Sequence, residues 1–141
     1  MRLVTAMLAD AASVVDGKLY VHGGAWDHIL TQSFPSTHPS LAVVVTLEVP
    51  YDQAMQEHRL LVELVTEDGE ATPYRAEGLF RLGHPPMLAR GAPVFQTSSL
   101  TFPMLRFERP GRYAWMVSCD GDVLGSIPLT IELRPSLQPR S

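Results

Sequence analysis

The residues of this chain that could do chemistry are five histidines, one cysteine and a set of carboxylates, and they are widely scattered. The histidines are His22, His28, His38, His58 and His84. Metal sites favour His and Cys ligands at short fixed spacings, and the nearest approach here is His22 and His28 with Asp27. In an extended segment those two histidines would lie about 20 Å apart, at ~3.3 Å per residue. One ion could reach both only if Gly23 and Gly24 bent the chain sharply, so we predict no metal site.

The single cysteine, Cys119, gives no better case for catalysis. It lies at an inward position of a predicted strand, where a free cysteine acts as a small hydrophobic residue. A nucleophilic thiol needs a lowered pKa and a histidine partner, and no local signature supplies either. We therefore predict that the protein is not an enzyme and has no catalytic residue.

The carboxylates are explained mostly by turn chemistry, because Asp is favoured in tight turns. They include Glu63, Glu67, Asp68, Glu70, Asp120 and Asp122. Asp120 and Asp122 flank Gly121, but a calcium loop needs more oxygen ligands at regular spacing. Gly23-Gly24 lacks the Lys-Ser/Thr and the helix that follow in a phosphate loop. No cofactor is predicted.

Composition limits the partners. The chain has 141 residues, a net charge of -4, 45% hydrophobic residues and 18% charged residues, which is enough to build one hydrophobic core. Lys and Arg are scattered, so nucleic acid and anionic membrane surfaces are both disfavoured. No apolar run approaches the roughly 20 residues that span a bilayer. One cysteine suits a reducing compartment, so a cytoplasmic protein is expected. The short apolar run Leu3–Ala9 leaves a secretory signal as the alternative.

The stretch from Pro110 to Leu133 carries the clearest structural pattern. Alternation in the first half places Tyr113, Trp115, Val117 and Cys119 on one face, as in a half-buried strand. Asp120-Gly121 follows directly and is typical of a type I′ turn, which needs positive φ at both central residues. The return strand carries its own apolar face, and Gly125 marks the place for a bulge. The sequence therefore predicts a C-terminal β-hairpin with one apolar face.

Further strands are predicted along the whole chain, with turn residues between them. They are Leu3–Leu8, Leu19–Gly23 with an extended continuation at Ala25–Leu30, Leu41–Val49, His58–Thr66, Tyr74–Leu82 and Val94–Phe102. One short helix is predicted at Pro50–Glu57, from its good helix formers. These patterns predict an all-β fold of seven to eight strands, an antiparallel β-sandwich that is immunoglobulin-like or related, with a closed barrel as the alternative. Residues 1–133 form a single domain in this interpretation, and residues 134–141 form a tail.

Two surface features are candidates for binding. Four apolar residues lie opposite the predicted core face: Val44, Leu61, Val65 and Leu79. If they line up on neighbouring strands they form a contiguous apolar patch, which indicates an interface. If a second layer covers that face instead, they are simply buried. Trp26 follows the flexible pair Gly23 and Gly24, and these three residues are predicted to line a groove.

Several segments together resemble a family of small uncharacterised bacterial and phage-borne proteins. They are Leu8-Ala9-Asp10-Ala11-Ala12, Val15-Asp16-Gly17-Lys18-Leu19-Tyr20, Gly23-Gly24-Ala25-Trp26, Val49-Pro50-Tyr51-Asp52 with His58-Arg59, and Pro110-Gly111-Arg112-Tyr113. The resemblance implies a β-sandwich. It assigns no activity, so no functional residue is carried over. Its phage-borne members imply a virion-associated or assembly component.

Our leading hypothesis is a non-catalytic β-sandwich that acts through protein–protein interaction or self-assembly. The interface would be a sheet face or an edge strand, and the partner another protein or a second copy of the chain. The alternatives are a small-ligand-binding module, with a pocket near Trp26, Gly23 and the Pro85–Pro93 loop, and an enzyme whose site is assembled from distant residues.

Overall fold

The computed structural model describes residues 1–135, which are arranged almost entirely as β-strands. The nine strands are β1 (Arg2–Val15), β2 (Lys18–Trp26), β3 (His28–Thr31), β4 (Ser36–Val49), β5 (His58–Thr66), β6 (Ala71–Phe80), β7 (Val94–Phe107), β8 (Gly111–Cys119) and β9 (Asp122–Leu133). Across these residues there is no helix of the length and apolarity that a membrane crossing requires. The all-β prediction is confirmed, with more strands than the seven or eight expected. Of the predicted tail, residues 136–141 lie outside the described part of the chain.

The helix predicted at Pro50–Glu57 is wrong. Only a single 3-10 turn forms there, at Tyr51–Gln53. The backbone carbonyl of Gln53 accepts a hydrogen bond from the His58 ring, and that of Ala54 accepts one from the N–H of Leu82. A continuing α-helix would need the same carbonyls for its own i→i+4 bonds. These two carbonyls therefore bond to distant parts of the chain, and they are not available for the local hydrogen bonds of a helix.

The strands form two sheets. The four-stranded sheet has the order β2-β1-β4-β7, and the five-stranded sheet has the order β3-β9-β8-β5-β6. Every pair is antiparallel except β3 and β9, which run parallel. The chain changes sheets at Asp27, whose carbonyl accepts a hydrogen bond from the N–H of Thr130. The segment predicted as one extended continuation, Ala25–Leu30, is thus divided between the two sheets.

One hydrophobic core lies between the sheets, because both contribute fully buried residues to it. From the four-stranded sheet come Leu8, Leu41, Val43, Val45 and Leu47; from the five-stranded sheet come Leu60, Val62, Leu64, Trp115, Val117, Leu129 and Ile131. The Trp115 ring packs on Phe102 with 4.4 Å between ring centroids. Burial of large side chains such as these stabilises a fold by about 1.5–3 kcal/mol each relative to exposure.

The predicted C-terminal hairpin is confirmed as β8 and β9. Asp120 and Gly121 have φ of 53° and 87°, as a type I′ turn requires. The register shifts beside Val117, opposite Gly125. A Cβ atom at Gly125 would lie 2.8 Å from a methyl carbon of Leu3, so glycine lets β1 pack closely against this bulge.

The outer face of the four-stranded sheet is covered by the chain itself. The Ser99 hydroxyl on β7 donates to the carbonyl of Ala12 on β1 at 3.2 Å, although β4 separates those two strands in the sheet. The far part of the β1–β2 hairpin, residues 10–24, must therefore cross over the outer face of β4. We call it the crossing hairpin. Ala42 and Val44 beneath it are completely buried.

Candidate functional site

The first cluster of polar groups joins three distant segments around His58. The His58 ring is 3% exposed and lies at the start of β5, just after the 3-10 turn. Its Nδ1 lies 2.6 Å from Oδ2 of Asp120, the first residue of the β8–β9 turn, and its Nε2 lies 2.7 Å from the carbonyl oxygen of Gln53. The other carboxylate oxygen of Asp120 accepts the N–H of Arg59 at 2.9 Å. We call this arrangement the His58 clamp.

The clamp favours a positively charged ring. Both ring nitrogens face oxygen acceptors, and both can donate only in the doubly protonated form. Burial of the ring opposes this charge, but the bonds to Asp120 and to the Gln53 carbonyl outweigh it and raise the pKa of His58. Burial of Asp120 is likewise outweighed by its bonds to His58 and to the Arg59 N–H, which lower its pKa. The two shifts have the same cause, since each group favours the charged form of the other, and the clamp therefore favours an ion pair.

Cys119 lies beside the clamp but is not activated by it. Its sulfur, a ring nitrogen of His58 and a carboxylate oxygen of Asp120 lie within 4.8 Å of one another. Burial, followed by the nearby charge of Asp120, raises the pKa of the thiol to about 11, whereas nucleophilic and metal-binding cysteines need the thiolate. Both nitrogens of His58 already have partners, so the ring is not placed to take the thiol proton. This geometry favours a structural role over a catalytic or metal-binding one.

The sequence did not reveal that His58 and Asp120 meet beside Cys119. The two residues are 62 positions apart, and no local pattern connects them. The one available signal was the position of Asp120 in a type I′ turn, where a short side chain can bond to the backbone nearby. Here the carboxylate bonds to the neighbouring strand instead.

The predicted groove residues lie together at a bend in β2. Gly23 and Ala25 have φ of 59° and 65°, and the Trp26 indole N–H donates to the Gly23 carbonyl at 2.8 Å. The side chain of Trp26 lines an open cavity of about 270 Å³. The cavity, which we call the Trp26 groove, is lined by Asp10, Trp26, His28, Ile29, Leu30 and His38.

The Pro85–Pro93 loop does not take part in the Trp26 groove. Gly91 and Pro93 instead line a separate open groove of about 560 Å³ at the other end of the four-stranded sheet, together with Met1, Pro50 and Tyr51. Those two features, predicted as one pocket, are therefore apart. The Tyr51 ring there stacks on His84 at 3.9 Å between ring centroids.

The four residues of the predicted apolar patch do not share one surface. Val44 belongs to the four-stranded sheet and is fully buried beneath the crossing hairpin. Leu61 and Val65 are half-buried on β5 of the other sheet, and Leu79 is 59% exposed on β6. The prediction of one contiguous patch is therefore wrong, because Val44 lies on a different sheet from the other three residues and is covered by the crossing hairpin. An interface role for Leu61, Val65 and Leu79 stays a prediction.

The sheets end in four edge strands, and they differ in how they discourage further pairing. β3 has only 4 residues. β2 is interrupted by the left-handed residues Gly23 and Ala25. β6 carries Pro73 and the charged pair Arg75 and Glu77. Short strands, bulges, prolines and charges are the usual protections of an edge.

The edge of β7 lacks these protections over its first nine residues. The segment Val94–Phe102 reads Val-Phe-Gln-Thr-Ser-Ser-Leu-Thr-Phe, without a charge, a proline or a glycine. Its pairing with β4 runs without a shift, and its other side has no strand partner among residues 1–135. We call this other side the β7 edge.

The pairing register identifies the free groups of the β7 edge. Along an antiparallel strand, the backbone N–H and C=O groups of successive residues point to opposite sides. The N–H and C=O of every second residue of β7 therefore point away from β4. The N–H of Arg106 donates to the Tyr74 hydroxyl at 2.8 Å, outside the β4 ladder. Gln96, Ser98 and Leu100 have the same parity as Arg106, so their N–H and C=O groups point to the free side.

These observations define a two-sheet, all-β protein with one unprotected edge and one small groove. The chain belongs to a family of unknown function, DUF6941, whose model matches residues 4–132. This confirms the predicted resemblance to an uncharacterised family, while a bacterial or phage origin stays a prediction. No curated protein matches the chain.

The solved structures that are similar to this chain at a low level include a DNA glycosylase. It is the Pseudomonas fluorescens alkylpurine DNA glycosylase AlkC bound to DNA containing an abasic site analog, with a TM-score of 0.41 and 19% sequence identity. The match covers 74% of this chain and 27% of the glycosylase, so the chain spans about a quarter of that protein's length. A likeness at this level carries no argument about activity or partners.

Proposed function

We propose that the protein is a non-catalytic interaction module that binds an extended strand of a protein partner along the β7 edge. The observation that carries the proposal is the contrast between β7 and the other three edge strands. Strand addition uses main-chain hydrogen bonds for affinity and side-chain contacts for specificity. The partner that the purified protein itself supplies is a second copy of the chain.

The composition of the β7 edge suits antiparallel pairing of two copies about Ser98. In that register Gln96 faces Leu100 of the second copy, and Thr97 faces its Ser99. Hydroxyl pairs of this kind are favourable across antiparallel strands, whereas like charges would repel. Because Val94–Phe102 is uncharged, the net charge of -4 does not place like charges opposite each other at this edge. Each new backbone hydrogen bond contributes about 0.5–1.5 kcal/mol net.

We also infer that the two facing sheets form a β-sandwich related to the immunoglobulin-like type. Support comes from the single core between the sheets and from the mainly antiparallel pairing. A rigid two-layer body of this kind holds an edge strand in a fixed extended shape, so the strand is ordered before its partner binds. Such pairing would suit an assembly component, because an ordered edge strand can join two copies of the chain without a ligand.

Replacement of Ser98 by proline tests the proposal. Proline removes the Ser98 N–H, which points to the free side, and leaves the β4 ladder intact. Ser98→Ala is the matched control, because it removes the hydroxyl and keeps the N–H. We expect wild type and Ser98→Ala to show the same concentration-dependent dimer by light scattering, and Ser98→Pro to be monomeric.

Circular dichroism and thermal unfolding of the three proteins decide whether the proline has unfolded the domain. A folded Ser98→Pro that dimerises as strongly as wild type would overturn pairing at the β7 edge. A wild type that stays monomeric over the whole concentration range would overturn self-pairing.

A further inference from the structure

We propose that the Trp26 groove binds the cationic end of an alkyl amine or guanidine, held by hydrogen-bond acceptors and the Trp26 ring. The inference does not depend on the proposed role of the β7 edge. It concerns a separate surface, where β2, β3 and the start of the crossing hairpin meet.

His38 lines the groove and carries an unpaired ring nitrogen. Its Nε2 is buried and has no hydrogen-bond partner among residues 1–135. Burial lowers the pKa of His38, opposed by a hydrogen bond to the backbone of Ser40. A neutral imidazole has one donor and one acceptor nitrogen, and the bond to the Ser40 backbone uses the donor. The lone pair on Nε2 is therefore a buried acceptor that lacks a donor, which is energetically costly.

Asp10 supplies the negative charge. Its carboxylate rests against the backbone of Gly23, at the place that a Cβ atom would occupy. The glycine thus makes room for the carboxylate beside Trp26. Within the described part of the chain, Asp10 takes part in none of the ion pairs, and no Lys or Arg lines the groove.

The remaining walls fit the rest of such a ligand. The indole N–H of Trp26 is occupied by the Gly23 carbonyl, so Trp26 contributes aromatic surface to the groove rather than a donor. A cation within about 6 Å of an indole ring is attracted by the negative face of the ring. Ile29 and Leu30 provide apolar contact for an alkyl stem.

Charges around the groove also favour a cation over an anion. The His28 ring beside the groove lies 2.6 Å from Asp27 and 3.7 Å from Glu132, so any positive charge on it is already paired with carboxylates. The three carboxylates of Asp10, Asp27 and Glu132 therefore exceed the positive charge. An anionic ligand would meet a negative potential, whereas an ammonium or guanidinium group would be attracted.

Such a group can come from a free diamine or from a Lys or Arg side chain of a protein. Isothermal titration with cadaverine, agmatine and Nα-acetyl-lysine amide distinguishes the two sources. We expect saturable one-to-one binding of the amines, and none of 1-pentanol, which has a similar stem without the charge. Stronger binding of the lysine derivative than of cadaverine would assign the groove to a protein side chain, and the reverse to a small amine.

Asp10→Asn is the decisive variant, because it removes the charge and keeps the size. The matched control is Asp16→Asn, which makes the same charge change in the turn of the same hairpin, where asparagine tolerates the φ of 52°. We expect Asp10→Asn to bind at least about tenfold more weakly, as for a lost charged hydrogen bond, and Asp16→Asn to bind like wild type. Equal loss in both variants, equal binding of 1-pentanol, or no binding of any amine would overturn the proposal.

Discussion

Replacement of His58 by alanine is expected to lower the free energy of unfolding by about 3 kcal/mol. The substitution leaves Asp120 without its ion-pair partner and the Gln53 carbonyl without its donor. Breaking a buried pair costs about 3–5 kcal/mol, and the low end applies because the Asp120 side chain is 44% exposed and can be partly hydrated. Chemical denaturation monitored by circular dichroism measures the change.

The effect of the substitution should depend on pH in a definite direction. The pKa of His58 is raised in the folded state above its ordinary value of 6.5. A raised histidine pKa gives stability that is fully present below the unfolded pKa and is lost as pH rises through the folded pKa. We therefore expect the difference between wild type and His58→Ala to be largest between about pH 5 and 6 and to shrink at higher pH.

A second loss is expected in acid. The pKa of Asp120 is lowered below its ordinary value of 3.8, so its contribution disappears as pH falls through the folded value. His22→Ala is the control at both high and low pH. His22 is exposed on β2, so its removal should change stability little at any pH. A difference between wild type and His58→Ala that stays constant from pH 5 to 9, or that grows with pH, would contradict the charged clamp.

Replacement of Trp115 by alanine is expected to lower the free energy of unfolding by about 4 kcal/mol. Trp115 is fully buried at the centre of β8, between Leu64 of β5 and Ile127 of β9, and packs on Phe102 across the core. Removal of a large buried aromatic loses its transfer free energy and leaves a cavity, together about 3–5 kcal/mol.

Trp115→Phe separates packing from polarity. The indole N–H of Trp115 has no partner among residues 1–135. Phenylalanine removes that unpaired donor, which offsets part of the lost packing. We expect Trp115→Phe to lose less than half as much unfolding free energy as Trp115→Ala in urea titrations. An equal loss in both variants would contradict this account of Trp115, because phenylalanine keeps more of the packing than alanine does.

The strands and turns were easier to predict from the sequence than the segments that pack against each strand. The β8–β9 hairpin was predictable because Asp120-Gly121 determines the turn type and the alternation determines the buried face. The crossing hairpin was not, because a period-two pattern separates the two faces of a strand but does not identify what covers each face. Val44 was therefore assigned correctly to the outward face, while the pattern left open whether that face was exposed or covered.

Hydrogen bonds between residues far apart in the sequence also could not be predicted. The transfer of the chain from one sheet to the other at Asp27 depends on a bond to Thr130, more than a hundred residues away. The His58 clamp depends equally on partners that no local pattern connects. The Trp26 groove was partly predictable, because Gly23 and Gly24 marked the bend, whereas His38 and Asp10 came from other strands.

Amide hydrogen exchange along β7 measures whether the β7 edge pairs with a second copy of the chain. Exchange should be compared at low and high protein concentration, with the edge strand β6 as the internal control. We expect the amides of Gln96, Ser98 and Leu100, which point to the free side of β7, to exchange more slowly as the protein concentration rises. The exchange rates of the β6 amides should not change. Equally fast exchange of those three amides at every concentration, or protection that appears on β6 instead, would contradict the β7 edge as the interaction surface.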